Sequence, residues 1–425
     1  MPVPEGPAGS QCPGVDLYST ATQEDWYPVY DRLRIEAPAY RIPGSRMFVL
    51  TRYDDVLHAL RHQEVFTTGS LTFRHEAARR VYEERGWPRV TPLSVNPPEH
   101  RQYRALVDEF FDANGARRYE PLLTRTIAEL LDHIVARGRS EFVTEFALPL
   151  PVAVITAVLG FPAADIPQLK RWSEAWVLPF SGPLTEDQEV FVAEQGVEFQ
   201  RYIHAHAQDK RTNPDDDVLS ALVHARYAGD RALSDAEIVT IVDHLYIGGN
   251  ETTTFALTSG LWILLREPGL YERVRDDRAL VPAFVEEILR LESPTQGLYR
   301  VVAHDTEVAG VPIPAGAVVH LRYAAANRDP AMFTDPATVR LDRPNLGRHM
   351  AFSLGEHHCP GAGLSRLEQQ LAFNAILDRL PGLRLAPEND FAHHPGFVLR
   401  ALRELHLEFA RLDDRETAMT QGVLR

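Results

Sequence analysis

The sequence predicts a mainly α-helical protein of the α+β class, with small β-sheets arranged around a long central helix. Apolar residues recur at helical spacing through most of the chain after Glu99. The segment between Ser234 and Pro268 is mainly apolar and free of proline, and the strand-like runs elsewhere are short. Because no linker interrupts residues 16–425, we expect one domain there, preceded by a flexible tail of residues 1–15, which is rich in Pro and Gly.

The predicted elements follow in order along the chain. The run Met47–Leu50 is expected to form a strand because turn residues bound it. Apolar residues at helical spacing then predict helices over three segments: Arg101–Phe111, Tyr119–Arg137 and Leu150–Leu159. Polar or Pro/Gly-broken connections are expected at Gly182–Asp187 and Thr212–Asp217.

The central helix has the clearest start signal. Ser234 is followed three residues later by Glu237, which is the pattern of a capping box. A helix from there to Pro268 would have roughly 32 residues and a length of about 48 Å. We expect so long a helix to cross the whole domain and to be largely buried. Beyond it, Val301–His320 is strand-like, and a last helix is expected over about Ala362–Leu380.

Composition excludes several classes of protein. The chain has 425 residues, of which 44% are hydrophobic and 24% charged, which is too apolar for a disordered protein. Its net charge of −15 disfavours broad nucleic-acid binding. Lys170 and Lys210 are the only lysines beside many arginines, which is typical of a GC-rich bacterial source. With no signal sequence or membrane-spanning run, we expect a cytoplasmic protein that does not bind membranes.

The segment 352–361 contains one of the two cysteines, and no disulfide framework or CxxC metal site can be built from Cys12 and Cys359. Cys359 lies in a glycine-bracketed loop that leads directly into the last predicted helix. Free backbone N–H groups and the positive end of that helix are expected to lower the pKa of the thiol. Such a thiolate suits a nucleophile or a metal ligand, whereas a lone cysteine that is merely buried is the alternative.

The pattern Phe352-x-x-Gly355-x-His357-x-Cys359-x-Gly361 resembles the haem-binding signature of the cytochrome P450 family, in its soluble bacterial type. The resemblance implies the cytochrome P450 fold, haem b (iron protoporphyrin IX) as cofactor, and Cys359 as the axial thiolate on the iron. Phe352, Gly355 and Gly361 would shape the loop that binds the cofactor.

Three further motifs carry the same resemblance. Glu287-x-x-Arg290, with Arg343 as a third member, is similar to a structural ion-pair cluster of the family. The family pattern is also matched by two further segments: residues 327–330 with Phe333, and residues 97–104. Two positions depart from the family pattern, because Ser353 stands where Gly is usual and Asn96 where Asp is common. Ser353 is expected to alter the loop beside the sulfur, and with it the reduction potential.

Haem carries two propionates, and buried carboxylates require paired cations. His100 and Arg104 are four residues apart and therefore share one helix face. The resemblance implies that they hold one propionate, and that Arg300 and His357 hold the other. Each of these residues could instead be an ordinary solvated surface side chain.

The centre of the long helix contains residues that are unfavourable for a helix. Gly248, Gly249 and three consecutive threonines from Thr252 cost roughly 2–3 kcal/mol relative to alanine. Glycine leaves room for a ligand, and a threonine hydroxyl can bond to a backbone carbonyl and open the helix. The resemblance implies a groove for O2, with Thr252 donating a hydrogen bond to the oxygen and Glu251 relaying protons. A flexible helix with a surface glutamate is the alternative.

The resemblance also suggests the substrate pocket, for a small to medium hydrophobic molecule. The loop before His100 and the region of residues 175–200 would contribute, together with Leu245, Gly248, Gly249, Thr295, Gln296, Leu298, Phe397 and Val398. No Gly-x-Gly-x-x-Gly fingerprint is present. Electrons, ultimately from NAD(P)H, are therefore expected from a ferredoxin and a ferredoxin reductase that dock near Arg101, Arg348 and Arg366.

The resulting prediction is an oxidoreductase, specifically a monooxygenase that inserts one atom of O2 into its substrate. Two alternatives remain. One is an enzyme of the same fold with atypical chemistry, such as nitration, ring coupling or peroxide-driven oxidation. The other is a haem-thiolate sensor without catalysis, against which the Glu251–Thr252 pair argues.

Overall fold

The computed structural model describes residues 12, 14–69, 73–87 and 92–411. Helices dominate these ranges, as the sequence predicts. The α-helices are α1 Thr20–Glu24, α2 Tyr27–Glu36, α3 Tyr53–Arg61, α4 Glu76–Arg85, α5 Glu99–Arg104, α6 Asp108–Phe111, α7 Glu120–Val135, α8 Pro149–Leu159, α9 Ile166–Val177, α10 Glu186–Lys210, α11 Val218–His224, α12 Asp235–Arg266, α13 Leu270–Asp276, α14 Val281–Glu292, α15 Tyr323–Ala326 and α16 Ala362–Arg379.

The strands form small sheets beside the helices. They are β1 Ala39–Arg41, β2 Met47–Leu50, β3 Phe66–Thr67, β4 Arg139–Glu141, β5 Arg226–Tyr227, β6 Arg231–Ala232, β7 Leu298–Val302, β8 Thr306–Val308, β9 Val311–Ile313, β10 Val318–Leu321, β11 Arg384–Leu385 and β12 His406–Glu408. The largest sheet has the order β1-β2-β10-β7-β3, in which only β2 and β10 pair in parallel. A second sheet has the order β11-β12-β4, and β5-β6 and β8-β9 are hairpins.

The central helix α12 has 32 residues, and the predicted capping box is present. The Ser234 hydroxyl accepts from the Glu237 N–H at 3.3 Å, and the Glu237 carboxylate accepts from the Ser234 N–H at 2.7 Å. The helix packs against α8, α10, α14 and α16, and most of its side chains are buried. Burial of α12 against these four helices forms the main hydrophobic core.

Some predicted boundaries differ from the structure. The segment Arg101–Phe111 is not one helix, because a tight turn at Leu106 and Val107 separates α5 from α6. The predicted connection at Gly182–Asp187 ends early, since Thr185 caps α10 and the helix begins at Glu186. Most of the predicted tail, and residues 412–425, lie outside the described residues. Cys12 is described, and it is buried, with its thiol donating to the Glu36 carboxylate at 3.1 Å. Within the described ranges, no helix is long and apolar enough to cross a membrane.

Candidate functional site

A deep cavity separates the middle of α12 from the loop that precedes α16. On one side it is lined by α12 residues spaced one turn apart, including Gly248 and Thr252. On the other side it is lined by Phe352, Cys359 and Gly361. The structure therefore places the glycine–threonine segment and the cysteine loop across one space, as the two sequence motifs together require.

Cys359 is held at the start of α16. Its N–H donates to the Phe352 carbonyl at 2.9 Å, and the N–H groups of Gly361 and Ala362 are directed at the sulfur. Burial raises the pKa of the Cys359 thiol, and these N–H groups lower it only in part. The pKa of Cys359 is thus shifted upward, whereas the loop alone predicts a downward shift. A metal cation bound at the sulfur would stabilise the thiolate despite this burial.

The histidines predicted to bind propionates meet at the cavity. The rings of His100 and His357 lie 4.0 Å apart between centroids. Within the described residues, neither nitrogen of His100 nor Nε2 of His357 has a hydrogen-bond partner, although all three atoms are buried. Burial, with the neighbouring charges of His100 and Arg300, lowers the pKa of His357 to about 3. Each neutral imidazole has one N–H, which can donate a hydrogen bond to a ligand in the cavity.

Two arginines also line the cavity. Arg300 is buried, and its guanidinium donates to the Tyr299 carbonyl at 2.8 Å. Arg104 is engaged by protein groups, because it donates to Asp108 at 2.7 Å and to the His358 carbonyl at 2.7 Å. Arg104 therefore braces the cysteine loop as well as lining the cavity. With His100 and His357, Arg300 forms a donor set that fits the carboxylates of haem.

The predicted ion-pair cluster is fully buried. The Arg290 Nε lies 2.7 Å from one oxygen of Glu287, and the Arg343 Nε lies 2.9 Å from the other. Arg290 also donates to the carbonyls of Asn327 and Pro336. These contacts connect α14 to the chain that leads into the cysteine loop.

The Glu251 carboxylate and the Thr252 hydroxyl lie on different sides of the central helix. Thr252 faces the cavity, and its hydroxyl donates to the Gly248 carbonyl at 3.0 Å. Glu251 is buried against α9, where its carboxylate accepts from the Lys170 ammonium at 2.5 Å and from the Ser173 hydroxyl at 3.1 Å. The sequence does not pair Lys170 or Ser173 with Glu251, because they lie about 80 positions away in the chain.

The residues suggested for the substrate pocket divide into two groups. The cavity wall includes Leu245, Gly248, Gly249, Thr295 and Leu298.

Gln296, Phe397 and Val398 are placed elsewhere. The Gln296 amide is completely buried, and it bonds to the Tyr30 hydroxyl and to the carbonyls of Glu292 and Ser293. Phe397 and Val398 pack in a separate apolar cluster with residues of α2. The chain is extended here, with a bridge between Thr295 and Leu399, so neighbouring side chains point to opposite sides.

Two ionisable residues of the cavity wall were missed in the sequence. His244 lies one helical turn before Gly248, on the same face of α12. Glu368 lies on the face of α16 that also contains Leu364 and Ser365, and Gly361, just before the helix, lines the cavity with them. Burial raises the pKa of Glu368 to about 8, and its Oε1 has no partner in the described part of the chain. Helical spacing from Gly248 and Gly361 could have found both residues.

The expected basic patch on the cysteine side is largely paired with acids. Arg101 forms an ion pair with Glu356. Arg366 donates to Glu286 at 2.6 Å, and its guanidinium lies over the Phe352 ring at 4.6 Å.

The two departures from the family pattern have distinct settings. The side-chain oxygen of Asn96 accepts from the N–H of Thr68 at 3.0 Å. Ser353 has a φ of 59°, a left-handed conformation that favours glycine, and its hydroxyl accepts from Tyr323 at 3.2 Å.

A cysteine loop that opens a helix, opposite a glycine–threonine segment and beside the buried Arg300, is the arrangement expected of a haem-thiolate site. The general model of the cytochrome P450 family matches residues 153–403. The chain belongs to the cytochrome P450 family, and it is a haem-binding oxidoreductase of the monooxygenase class.

Relatives match almost the whole chain. Cytochrome P450 107B1 of Saccharopolyspora erythraea is 33% identical over 406 residues, covering 93% of this chain and 98% of that protein. Nocardicin C N-oxygenase of Nocardia uniformis is 35% identical over 392 residues, covering 90% of this chain and 95% of that protein. Among solved structures, P450BioI in complex with an acyl carrier protein carrying hexadec-9Z-enoic acid has a TM-score of 0.84 at 30% identity, covering 92% of this chain and 99% of that chain.

Proposed function

We propose that this protein inserts one atom of O2 into a small to medium hydrophobic organic molecule bound between α12 and the cysteine loop. The observation that carries the proposal is the position of Thr252, whose hydroxyl bonds to the Gly248 carbonyl and faces the cavity that contains Cys359. The haem supplies an iron centre that activates O2 when it is bound. The protein must then hold the cofactor, exclude water and deliver protons.

The residues of the cavity fit the cofactor. Cys359 would ligate the iron, with the N–H groups of Gly361 and Ala362 directed at its sulfur. His100, His357 and Arg300 would hold the propionates, with each imidazole donating one N–H to a carboxylate oxygen. Arg104 would keep the loop in place through the His358 carbonyl.

Proton delivery would use both sides of α12. The Glu251 carboxylate is held by Lys170 and Ser173 on the α9 side, while the Thr252 hydroxyl lies on the cavity side. A proton that enters near Lys170 can pass to the Glu251 oxygens. Rotation of Thr252 away from the Gly248 carbonyl would present its O–H to the reacting oxygen, and a proton relayed from Glu251 through water would replace the one that the hydroxyl donates.

The substrate and the electron source are further parts of the proposal. Leu245, Leu298 and Ile155 give the cavity an apolar wall, which suits a hydrophobic substrate. The sequence lacks a Gly-x-Gly-x-x-Gly fingerprint, which supports separate electron donors, namely a ferredoxin and a ferredoxin reductase fed by NAD(P)H. These partners would meet the protein in the cytoplasm, on the side of Arg101, Arg348 and Arg366.

The test compares the purified protein with a Cys359→Ser variant. Reduced protein treated with carbon monoxide should show the Soret band of thiolate-ligated haem, and the variant should lose it. Product should form only when ferredoxin, reductase and NAD(P)H are all present. Wild type that lacks the thiolate band would contradict the assignment of Cys359. Equal turnover with peroxide alone would instead favour the peroxide-driven alternative.

A further inference from the structure

His244 places an imidazole in the wall of an otherwise mainly apolar cavity. It lies on α12, one turn before Gly248 and two turns before Thr252, and all three residues line the cavity. No side chain contacts the position that a Cβ of Gly248 would occupy, so the space between His244 and Thr252 is open along the helix. A molecule seated there would touch the imidazole and the threonine together.

The orientation of His244 is supported by α9. The Trp176 ring lies 5.8 Å from the His244 ring, edge to face at 73°. Trp176 is held in turn, because its indole N–H donates to the Asp243 carboxylate at 3.2 Å and its ring packs edge-on against Phe180. The imidazole is therefore packed against a fixed aromatic ring and is not a solvated surface group.

Several of the charged and hydrogen-bonding groups of the cavity, such as His100, Arg300 and His357, are the ones assigned to the cofactor. Leu245, next to His244 in the chain, also lines the cavity, and Ile155, Ala256 and Leu298 add further apolar wall. An imidazole has two nitrogens, so one can bond to protein while the other faces a ligand. The cavity-facing nitrogen carries an N–H donor when the ring is charged, and also in the neutral tautomer whose other nitrogen accepts a hydrogen bond. Such a donor in an apolar pocket selects molecules with an acceptor at the matching position.

We propose that His244 anchors the substrate and that the substrate is a hydrophobic molecule bearing a carboxylate or carbonyl oxygen. This proposal rests on the proposed function, because the anchor serves the same cavity. His244 and Gly248 are four residues apart, which is about 6 Å along the helix axis. Thr252 lies one turn further on, so the oxygen acceptor should lie roughly 12 Å along the helix axis from the part of the substrate that reacts beside Thr252.

The test uses three probes that share one hydrocarbon body: phenylbutyric acid, its methyl ester and butylbenzene. Their binding to the oxidised haem-loaded protein is measured by calorimetry and by the Soret shift. Wild type should bind the acid or the ester about tenfold more tightly than butylbenzene, as one hydrogen bond in an apolar site predicts. The acid and ester arms distinguish a carboxylate anchor from a carbonyl anchor.

The variants separate anchoring from packing. His244→Phe keeps an aromatic ring against Trp176 but removes the donor, so the preference for the oxygen-bearing probe should disappear. His244→Gln restores an N–H donor and should recover part of the preference for the oxygen-bearing probe. Leu245, the next residue in the chain, also lines the cavity, and Leu245→Ala should weaken the binding of all three probes to the same extent.

Two results would overturn the proposal: equal preference in wild type and His244→Phe, or no tighter binding of either oxygen-bearing probe than of butylbenzene by wild type. Neither would affect the proposed function, whose failure would appear separately as a missing thiolate band in the carbon monoxide spectrum.

Discussion

The ammonium of Lys170 lies 2.5 Å from the carboxylate of Glu251, and this contact connects α9 to the centre of α12. Both side chains are mostly shielded from solvent. Ser173 donates to the same carboxylate oxygen, and Asn250 donates to Ser173 at 2.9 Å. The acid next to Thr252 is therefore part of a network between two helices and not an isolated surface group.

Removal of one member of this ion pair should be destabilising. Lys170→Met leaves the Glu251 carboxylate with little solvent and no cation, and should lower the free energy of unfolding by roughly 2–4 kcal/mol. The double variant Lys170→Met/Glu251→Gln should recover part of this loss. Denaturant titration of wild type, the two single variants and the double variant gives the coupling free energy between Lys170 and Glu251. If the effects of the two single substitutions simply add in the double variant, the contact contributes nothing to stability.

Loss of the Thr252 hydroxyl should affect the reaction more than binding. In Thr252→Ala the donor that faces the cavity is missing, so protons reach the reacting oxygen poorly and reducing equivalents are diverted to hydrogen peroxide. We expect unchanged substrate affinity and a fall in product per NAD(P)H of about tenfold or more. Thr252→Ser keeps the hydroxyl and should retain most of the yield. An unchanged yield in Thr252→Ala would refute the proton-delivery role.

Glu368 should make stability depend on pH. Its pKa is raised by burial from 4.5 to about 8, so the folded protein keeps the proton while the unfolded chain releases it. Stability should therefore decrease as the pH rises from about 4.5 to 8, and the dependence should end above that range. Glu368→Gln should flatten this part of the profile, measured by thermal unfolding at several pH values. The exposed Glu109→Gln is the control, and identical profiles for wild type and Glu368→Gln would contradict the prediction.

The two glycines of α12 should respond differently to alanine. A Cβ at Gly249 would lie 2.9 Å from Ile155 Cδ1, whereas one at Gly248 would meet nothing within 4 Å. Gly248→Ala should gain up to about 1 kcal/mol of helix stability and lower the affinity for ligands in the cavity. Gly249→Ala should be less stable than Gly248→Ala by about 1–2 kcal/mol, because Ile155 must shift. Denaturant unfolding and ligand titrations of Gly248→Ala and Gly249→Ala measure these effects. A Gly249→Ala variant that is more stable than Gly248→Ala would contradict the prediction.

The buried histidines should contribute to cofactor retention. His100→Ala and His357→Ala each remove a buried donor from the set assigned to the propionates. Each should speed haem transfer to apomyoglobin by about tenfold, whereas the exposed His58→Ala should not. Equal transfer rates in all three variants would argue against the propionate assignment.

Much of the site could be predicted because its motifs are local. The capping box at Ser234 fixes the start of α12 through hydrogen bonds between residues three apart. The cysteine loop and the glycine–threonine segment are each continuous in the chain, so their residue types indicate their chemistry directly. The helical spacing that places His100 beside Arg104 is local in the same way.

The sequence by itself therefore determined the central helix, the cysteine loop and the family to which the chain belongs. Only the tertiary structure decided that Lys170 holds Glu251 and that Gln296 points away from the cavity. The physical reason is that backbone hydrogen bonds and caps act over a few residues. The direction in which a side chain points is instead set by packing between segments that are distant in the chain.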